Sequence, residues 1–185
     1  MADHEQQVHR ALAETVELVP YNKEWPLDFN DEQVLLRNLL PKDVIGRIEH
    51  FGSTAVPGLS AKPIIDMLIE VPSLQLVPTR IAPILTEYNY EYFWRAAWYD
   101  ANLPAYCWFI KRNSQGERTH HLHLLEPDAE EWERLLFRDY LRENPEAAKE
   151  YESIKRAAIA RFGDDRLAYA EAKSAFIEKI MALVA

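Results

Sequence analysis

The stretch RIEHFGSTAVPGLSAKPIIDM, residues 47–67, indicates the fold class, because two β-rich runs meet there across a turn of small residues. The first run, residues 44–51, ends at Gly52 and Ser53, where the chain is expected to turn. The second run keeps one face wholly apolar and carries Asp66 on the other. A strand, a tight turn and a second strand are therefore predicted.

The segments on both sides of this stretch extend the prediction to the whole chain. Before it, apolar residues at helical spacing predict a helix over residues 24–40. After it we predict a helix (79–88), aromatic strands (90–94 and 106–111), a further strand (119–125) that completes a hairpin, and helices starting near residues 128, 144 and 165. The predicted fold class is α/β (α+β), a mixed β-sheet with flanking helices followed by a C-terminal three-helix segment.

Composition and length indicate one folded unit. The chain has 185 residues, of which 48% are hydrophobic and 28% are charged, as is typical of a globular domain. The sequence shows no internal repeat, low-complexity run or Gly/Ser linker. We predict a flexible N-terminal tail (1–15) and a single domain (16–185), made of a sheet-containing half (16–126) and a helical half (127–185).

The charge and the N-terminal residues restrict the partners and the compartment. A formal net charge of -9, from 30 acidic and 21 basic residues, argues against nucleic acid as a partner, because phosphate backbones would be repelled. The sequence has no apolar run of about 20 residues that could span a bilayer, and its polar start lacks the features of a signal peptide. Cys107 is the single cysteine, which fits a reducing compartment. A cytoplasmic location without a membrane partner is expected.

Two features of residues 47–67 are candidates for ligand binding. Gly52 permits a close backbone approach, and Ser53 at the start of a helix would leave free N–H groups for a phosphate. The alternative is an ordinary turn with a helix cap. Asp66 interrupts an apolar strand, where an ionised carboxylate needs a cation such as Mg²⁺ or strong donors. A solvent-facing carboxylate beside Glu70 is the competing interpretation.

A histidine pair in the run THHLHLL, residues 119–125, is a further candidate. Alternation along a strand places His121 and His123 on one face, with about 6.6 Å of rise between them, and turns His120 the other way. Both imidazoles could then meet one metal ion or phosphate. A pair of half-exposed histidines without a ligand explains the pattern as well.

Two lysines could neutralise a phosphate. Lys62 precedes the Asp66 strand, although a solvated loop lysine would show the same pattern. Lys173 lies on the inner stripe of the last predicted helix, so it either extends outward or faces a ligand. Arg138 and Lys155 are weaker candidates, because charged residues on amphipathic helices are usually solvated.

Four segments of the chain together resemble one protein family. They are residues 47–67, VELVPYNKEWP at 16–26, residues 137–162 and AYAEAKSAFI at 168–177. From about Thr15 onward the sequence is similar to the GrpB-like family of the nucleotidyltransferase superfamily. The resemblance implies that superfamily's fold, in which a strand leads to Gly-Ser at a helix start and then to a strand with two metal-binding carboxylates. The matching positions are Gly52, Ser53 and Asp66.

The sequence departs from that pattern at the second carboxylate. Leu68 stands at its position, and Glu70 lies about 13 Å from Asp66 along the strand, too far to share one ion. A two-metal site of the superfamily's usual kind is therefore not predicted. Since the superfamily has a third carboxylate on a neighbouring strand, we place His121 and His123 at that position.

The first functional hypothesis is a metal-dependent nucleotidyltransferase that moves a nucleotidyl group from a nucleoside triphosphate to an unidentified small-molecule or protein acceptor. Mg²⁺ or Mn²⁺ would be its cofactor. Catalysis is assigned to Asp66, His121 and His123, metal binding to Asp66 and His123, and phosphate or nucleotide binding to Gly52, Ser53, Lys62 and Lys173.

Two further hypotheses remain open. Leu68 favours a non-catalytic nucleotide- or phosphate-binding or accessory domain with a degenerate site. The run His-Leu-His-Leu-Leu suggests a histidine-dependent nucleotide hydrolase, but this would need another histidine where the chain has Leu125. The hydrolase is therefore ranked last.

Overall fold

A mixed β-sheet forms the centre of the computed structural model, which describes residues 17–94, 106–162 and 165–184. Its strands run in the spatial order β1-β2-β5-β4-β3, with β2 parallel to β5 and the other neighbours antiparallel. The predicted mixed sheet and the hairpin of β4 and β5 are confirmed. The predicted tail, residues 1–15, lies outside the described residues. The strands are β1 (Ile48–Phe51), β2 (Ile65–Glu70), β3 (Tyr90–Trp94), β4 (Cys107–Arg112) and β5 (Arg118–Leu125).

The helices flank the sheet and fill the C-terminal half, as predicted. They are α1 (Trp25–Leu39), α2 (Ala82–Leu85), α3 (Arg134–Glu143), α4 (Pro145–Phe162), α5 (Arg166–Glu171) and α6 (Ser174–Val184). Within the described part of the chain, every helix is too short or too polar to cross a membrane.

Two predicted helices are less regular than expected. The helix predicted over residues 79–88 consists of a π-turn, the short α2 and a 3-10 turn. Pro83 explains part of this, because a proline has no N–H to donate to the preceding turn. The last predicted helix is interrupted after α5 and resumes as α6, which places Lys173 at the break.

The two faces of the sheet have different roles. Met67 and Leu122 belong to the main hydrophobic core, together with Leu36 of α1. The opposite face carries Leu68, which packs with Leu135 of α3. Because side chains alternate along a strand, Asp66 shares this second face, which the C-terminal helices cover.

Candidate functional site

The parallel pairing of β2 with β5 brings the three predicted catalytic residues together. The register sets Asp66 beside His121 and Leu68 beside His123, so both histidines share the face that carries Asp66. Asp66 Oδ1 lies 3.1 Å from His121 Nδ1 and 3.9 Å from His123 Nε2. One ligand atom from each of the three residues lies within 4.8 Å of the other two, so one metal ion could contact all of them. Metal binding by this set stays a prediction.

The protonation states of this cluster suit a metal ion. Burial lowers the pKa of His121 to about 4, although the neighbouring Asp66 carboxylate raises it in part. The ring is therefore neutral at pH 7 and has a lone pair to offer. Burial opposes ionisation of Asp66, but hydrogen bonds from His121 and His123 outweigh it and hold the pKa of Asp66 below its ordinary value. An ionised carboxylate and a neutral imidazole are the forms that bind metals.

A second set of contacts orients His123. The Tyr106 hydroxyl hydrogen-bonds with His123 Nδ1, and Arg134 Nη1 donates to the same hydroxyl at 3.2 Å. The Phe51 ring meets the imidazole edge-on, with ring centroids 5.1 Å apart. Since Tyr106 engages Nδ1, Nε2 is the nitrogen that faces Asp66. Proteins commonly orient histidine ligands in this way.

His120 lies on the opposite face, as the alternation predicts. Its Nε2 atom is 3.9 Å from Glu32 Oε2, beneath α1. Glu32 also accepts a hydrogen bond from Lys111 Nζ at 2.5 Å. His120 therefore belongs to a separate buried polar cluster, which makes it a control for the two site histidines.

The remaining positions of the superfamily pattern hold apolar or distant side chains. Leu68 is fully buried and packs in one cluster with Leu125, the position at which the hydrolase hypothesis needs a further histidine. The Glu70 side chain lies against Gly46, where an added Cβ would be 2.5 Å from Glu70 Oε1. Asp66 is thus the carboxylate that β2 contributes to the site.

The Gly52-Ser53 turn differs from its prediction. Instead of opening a helix, Ser53–Ala55 forms one 3-10 turn, and Ser53 makes no side-chain cap. So short a turn lacks the aligned dipoles of a helix N-terminus, so the predicted helix start at Ser53 is wrong. Ser53 Oγ instead accepts a hydrogen bond from Lys155 Nζ at 3.2 Å. Phosphate binding at Ser53 stays a prediction that now depends on this lysine.

Gly52 is required by the Asp66 carboxylate. Its backbone angles are φ 72° and ψ -172°, a region that is essentially restricted to glycine. A Cβ added at Gly52 would lie 2.5 Å from Asp66 Oδ2. The space beside Gly52, which was predicted to admit a phosphate, is therefore filled by the Asp66 side chain.

We expect Gly52→Ala to destabilise the protein and displace the carboxylate. The strained backbone alone should cost about 1–3 kcal/mol of unfolding free energy. Gly58→Ala is the matched control, since Gly58 also has a positive φ of 82° but no heavy atom lies within 4 Å of its added Cβ. Urea unfolding should show that Gly52→Ala lowers the unfolding free energy more than Gly58→Ala does. Equal losses for the two variants would mean that the contact with Asp66 has no effect.

A small cavity beside Asp66 concentrates positive charge. It has a volume of about 160 Å³, roughly five times the liquid volume of one water molecule, which suits a phosphate group. Lys62, Lys155 and Lys173 line it, and Asp66 is the acidic residue of its lining. Three ammonium groups thus face one carboxylate in a chain whose net charge is -9. This arrangement favours an anionic ligand.

Lys155 is the buried member of this group. Its side chain is 2% exposed, and its Nζ donates hydrogen bonds to the Ser60 carbonyl and to Ser53 Oγ. Burial, followed by the charge of Lys173, lowers the pKa of Lys155 to about 7. Burial, followed by the charge of Lys62, lowers the pKa of Lys173 to about 8, although Asp66 raises it. A bound anion would relieve this mutual repulsion.

Tyr169 connects the two lysines that the sequence had singled out. Lys62 Nζ lies 5.7 Å and Lys173 Nζ 4.2 Å from the centroid of its ring. The structure therefore brings both predicted phosphate-binding lysines to one aromatic side chain. Tyr169 was not predicted, although it precedes Lys173 by four residues and shares its helical spacing with the buried Phe176.

The two weaker candidates have different outcomes. Lys155 lies on the buried stripe of α4 between Tyr151 and Ala158, and this spacing could have identified it. Arg138 is buried as well, but its guanidinium donates to Glu49 and to the His50 carbonyl. Arg138 therefore stabilises the edge of the sheet.

A larger cavity of about 490 Å³ lies on the other side of the Gly52-Ser53 turn. It shares Gly52, Ser53 and Tyr151 with the small cavity, so the two are neighbours. Most of its lining is apolar, whereas the small cavity is cationic. The lining also includes Val56, Phe137, Leu141, Ile177 and Met181. At its polar rim lie Glu130, Glu131 and Glu133 of the 3-10 turn before α3, and Arg134, the first residue of α3.

Comparison with known proteins gives one consistent family. Residues 15–183 match the family model described as GrpB protein. The chain is similar to UPF0157 protein PA4798 of Pseudomonas aeruginosa, with 38% identity over 168 residues that cover 90% of this chain and 66% of that protein. It is also similar to UPF0157 protein YqkA of Bacillus subtilis, with 35% identity over 168 residues, 88% of this chain and 45% of that protein. The chain thus spans less than two thirds of the length of these curated relatives.

A solved structure supports the fold. The crystal structure of conserved protein GrpB from Enterococcus faecalis matches with a TM-score of 0.77 and 32% identity, covering 91% of this chain and 96% of that chain. The mixed sheet with its C-terminal helices is therefore shared with a solved GrpB protein.

Proposed function

The chain belongs to the GrpB family, and we propose that it is a metal-dependent nucleotidyltransferase that acts on a nucleoside triphosphate. The observation that carries the proposal is the meeting of two features at Asp66. This residue joins His121 and His123 in a three-ligand cluster and also lines the three-lysine cavity. A cation site next to an anion site is what a metal-bound triphosphate requires.

Each group has a role in this proposal. Asp66, His121 and His123 hold a divalent cation, for which the superfamily resemblance implies Mg²⁺ or Mn²⁺. Such an ion supplies positive charge to the phosphoryl oxygens. The ammonium groups of the small cavity neutralise phosphate charge, and the Ser53 hydroxyl offers a further hydrogen bond. These groups are Lys62, Lys155 and Lys173.

The proposed reaction is a displacement at the α-phosphorus. An acceptor hydroxyl oxygen bonds to the α-phosphorus, the bond from this atom to the bridging oxygen breaks, and pyrophosphate leaves. The hydroxyl proton passes to water. The acceptor is a small molecule or a protein, and its uncharged part would occupy the larger cavity beside Ser53.

Position-specific labels test this reaction directly. Nucleoside triphosphates with radioactive phosphorus at the α or the γ position are incubated with the protein, a divalent metal salt and either a heated small-molecule extract or soluble cell proteins. The α label should move to an acceptor, and the γ label should appear in pyrophosphate. Transfer of the γ label, or its release as inorganic phosphate, would contradict nucleotidyl transfer.

The buried Leu68 supports a second candidate, a non-catalytic domain that binds a nucleotide. A core leucine at the second carboxylate position removes one of the superfamily's metal ligands. Under this alternative, equilibrium dialysis detects binding of the triphosphate, while both labels remain in intact nucleotide over long incubation. The label experiment therefore separates the two candidates.

The larger cavity gives a prediction that does not require the acceptor. N-Phenyl-1-naphthylamine, a neutral apolar dye, should bind there and fluoresce. Met181→Trp should fill the cavity and weaken dye binding about tenfold or more, since two lost methylene contacts already exceed 1.4 kcal/mol. Leu183→Trp, on the same helix at a position that is 65% exposed, is the control. Equal dye affinities in both variants would show that the dye binds elsewhere.

A further inference from the structure

The donor atoms at Asp66 do not match Mg²⁺, one of the two ions that the superfamily resemblance implies. Mg²⁺ favours oxygen ligands in a near-ideal octahedron and is usually held by carboxylates and water. The cluster instead offers one carboxylate and two imidazoles. Imidazole nitrogen suits ions such as Zn²⁺, Fe²⁺, Co²⁺ and Ni²⁺, whereas an all-oxygen set suits Mg²⁺.

We infer that the Asp66, His121 and His123 cluster is a site for an imidazole-binding transition-metal ion, with Zn²⁺ as the representative ion, and not for Mg²⁺. Catalytic zinc sites typically combine three protein ligands of this kind with one open position for water or substrate. The register of β2 and β5 supplies these three ligands from adjacent strands. The lysine cavity beside Asp66 lies where a phosphoryl oxygen could reach an open position.

The surroundings of His123 support the inference independently of its distance to Asp66. A hydrogen bond from the far ring nitrogen to a fixed partner orients a histidine for metal binding. Tyr106 supplies this partner for Nδ1, and Arg134 in turn donates to the Tyr106 hydroxyl. A magnesium site built from carboxylates would not need an oriented imidazole.

Titration of the chelator-treated protein tests the inference without any enzymatic activity. Isothermal titration calorimetry should show one site for Zn²⁺ and for Co²⁺, and an excess of Mg²⁺ should not displace either ion. Bound Co²⁺ should also show an absorption spectrum that reports nitrogen ligation. His123→Gln should weaken Zn²⁺ binding by more than the roughly 10- to 100-fold that loss of an outer partner typically costs.

His120→Gln is the matched control, since it changes the same residue type on the same strand but on the opposite face. It should keep the wild-type affinity for Zn²⁺, with thermal unfolding used to confirm that both variants are folded. Tyr106→Phe should weaken Zn²⁺ binding less than His123→Gln does.

The inference rests on the proposed function only because both use the same site. Different experimental results would contradict each of them. If Mg²⁺ binds as tightly as Zn²⁺, or if His123→Gln leaves Zn²⁺ binding intact, the inference is wrong while a metal-dependent transferase remains. If neither ion binds the wild-type protein, both the inference and the metal-dependent function are wrong.

Discussion

Asp66→Asn is expected to abolish the proposed nucleotidyl transfer, the largest functional effect that we predict. The variant keeps the size of the side chain but removes the negative charge that the proposed metal site requires. Loss of an outer partner of a metal ligand typically costs 10- to 100-fold in activity, so loss of a direct ligand should cost more than about 100-fold. The measurement is the rate at which the α label reaches the acceptor.

Glu70→Gln provides the matched control for Asp66→Asn. Glu70 lies on the same strand and the same face, about 13 Å further along, with its carboxylate against Gly46. Its amide variant should transfer label at the wild-type rate. If Asp66→Asn also keeps that rate while remaining folded, the metal and phosphate roles assigned to this part of the sheet are wrong.

The strands of the site were predictable because their pattern is local. Alternation placed Asp66 opposite the apolar face of β2, and it placed His121 and His123 on one face of β5 without knowledge of the partner strand. Their convergence was not predictable from spacing alone. Asp66 and His121 are 55 residues apart, and their contact depends on the parallel register of β2 and β5, which pair directly although α2, β3 and β4 lie between them in the chain.

The helix predicted to start at Ser53 is absent for a physical reason. A serine after a glycine is a common start for a helix, but only Thr54 and Ala55 follow before the chain becomes extended at Val56. The following Pro57 disfavours a helical conformation at Val56, and this local signal was available in the sequence. The phosphate-binding hypothesis is therefore supported by the lysines of the small cavity and no longer by a helix N-terminus at Ser53.

The supporting residues of the site could be predicted only in part. Lys155 shares a helical stripe with buried neighbours, so its inward position was accessible from periodicity. The contact of Tyr106 with His123 and Arg134 joins the residue before β4 to β5 and α3, and it depends on how α3 packs on the sheet. Sequence spacing has no information on such packing.

Lys155→Met is expected to weaken phosphate binding strongly, because it removes the most buried charge of the small cavity. Two of the three N–H donors of Lys155 go to the Ser60 carbonyl and Ser53 Oγ among the described residues, so one remains for a ligand. A hydrogen bond to a charged group contributes roughly 1.5–3 kcal/mol, so the affinity for tripolyphosphate should fall about 10- to 100-fold. Calorimetric titration with tripolyphosphate measures this change.

Lys149→Met is the control for this substitution. Lys149 lies on the same helix, but its side chain is 73% exposed and pairs with Glu146. It removes one positive charge from the molecule without altering the cavity. If both variants lose the same affinity, tripolyphosphate responds to overall charge and not to the three-lysine cavity.

The protonation of Lys155 predicts that pH changes the stability of the protein and its affinity for tripolyphosphate in opposite directions. Its pKa is about 7 in the folded protein against an ordinary value of 10.5, so the unfolded chain binds more protons between these two values. The stability of the wild-type protein relative to Lys155→Met should therefore rise as pH increases from 7 towards 10. Over the same range the wild type should lose affinity for tripolyphosphate, because the folded protein gives up the proton that the anion requires. The protein is thus expected to bind tripolyphosphate most tightly at the lower pH values, at which the buried charge of Lys155 destabilises the fold most.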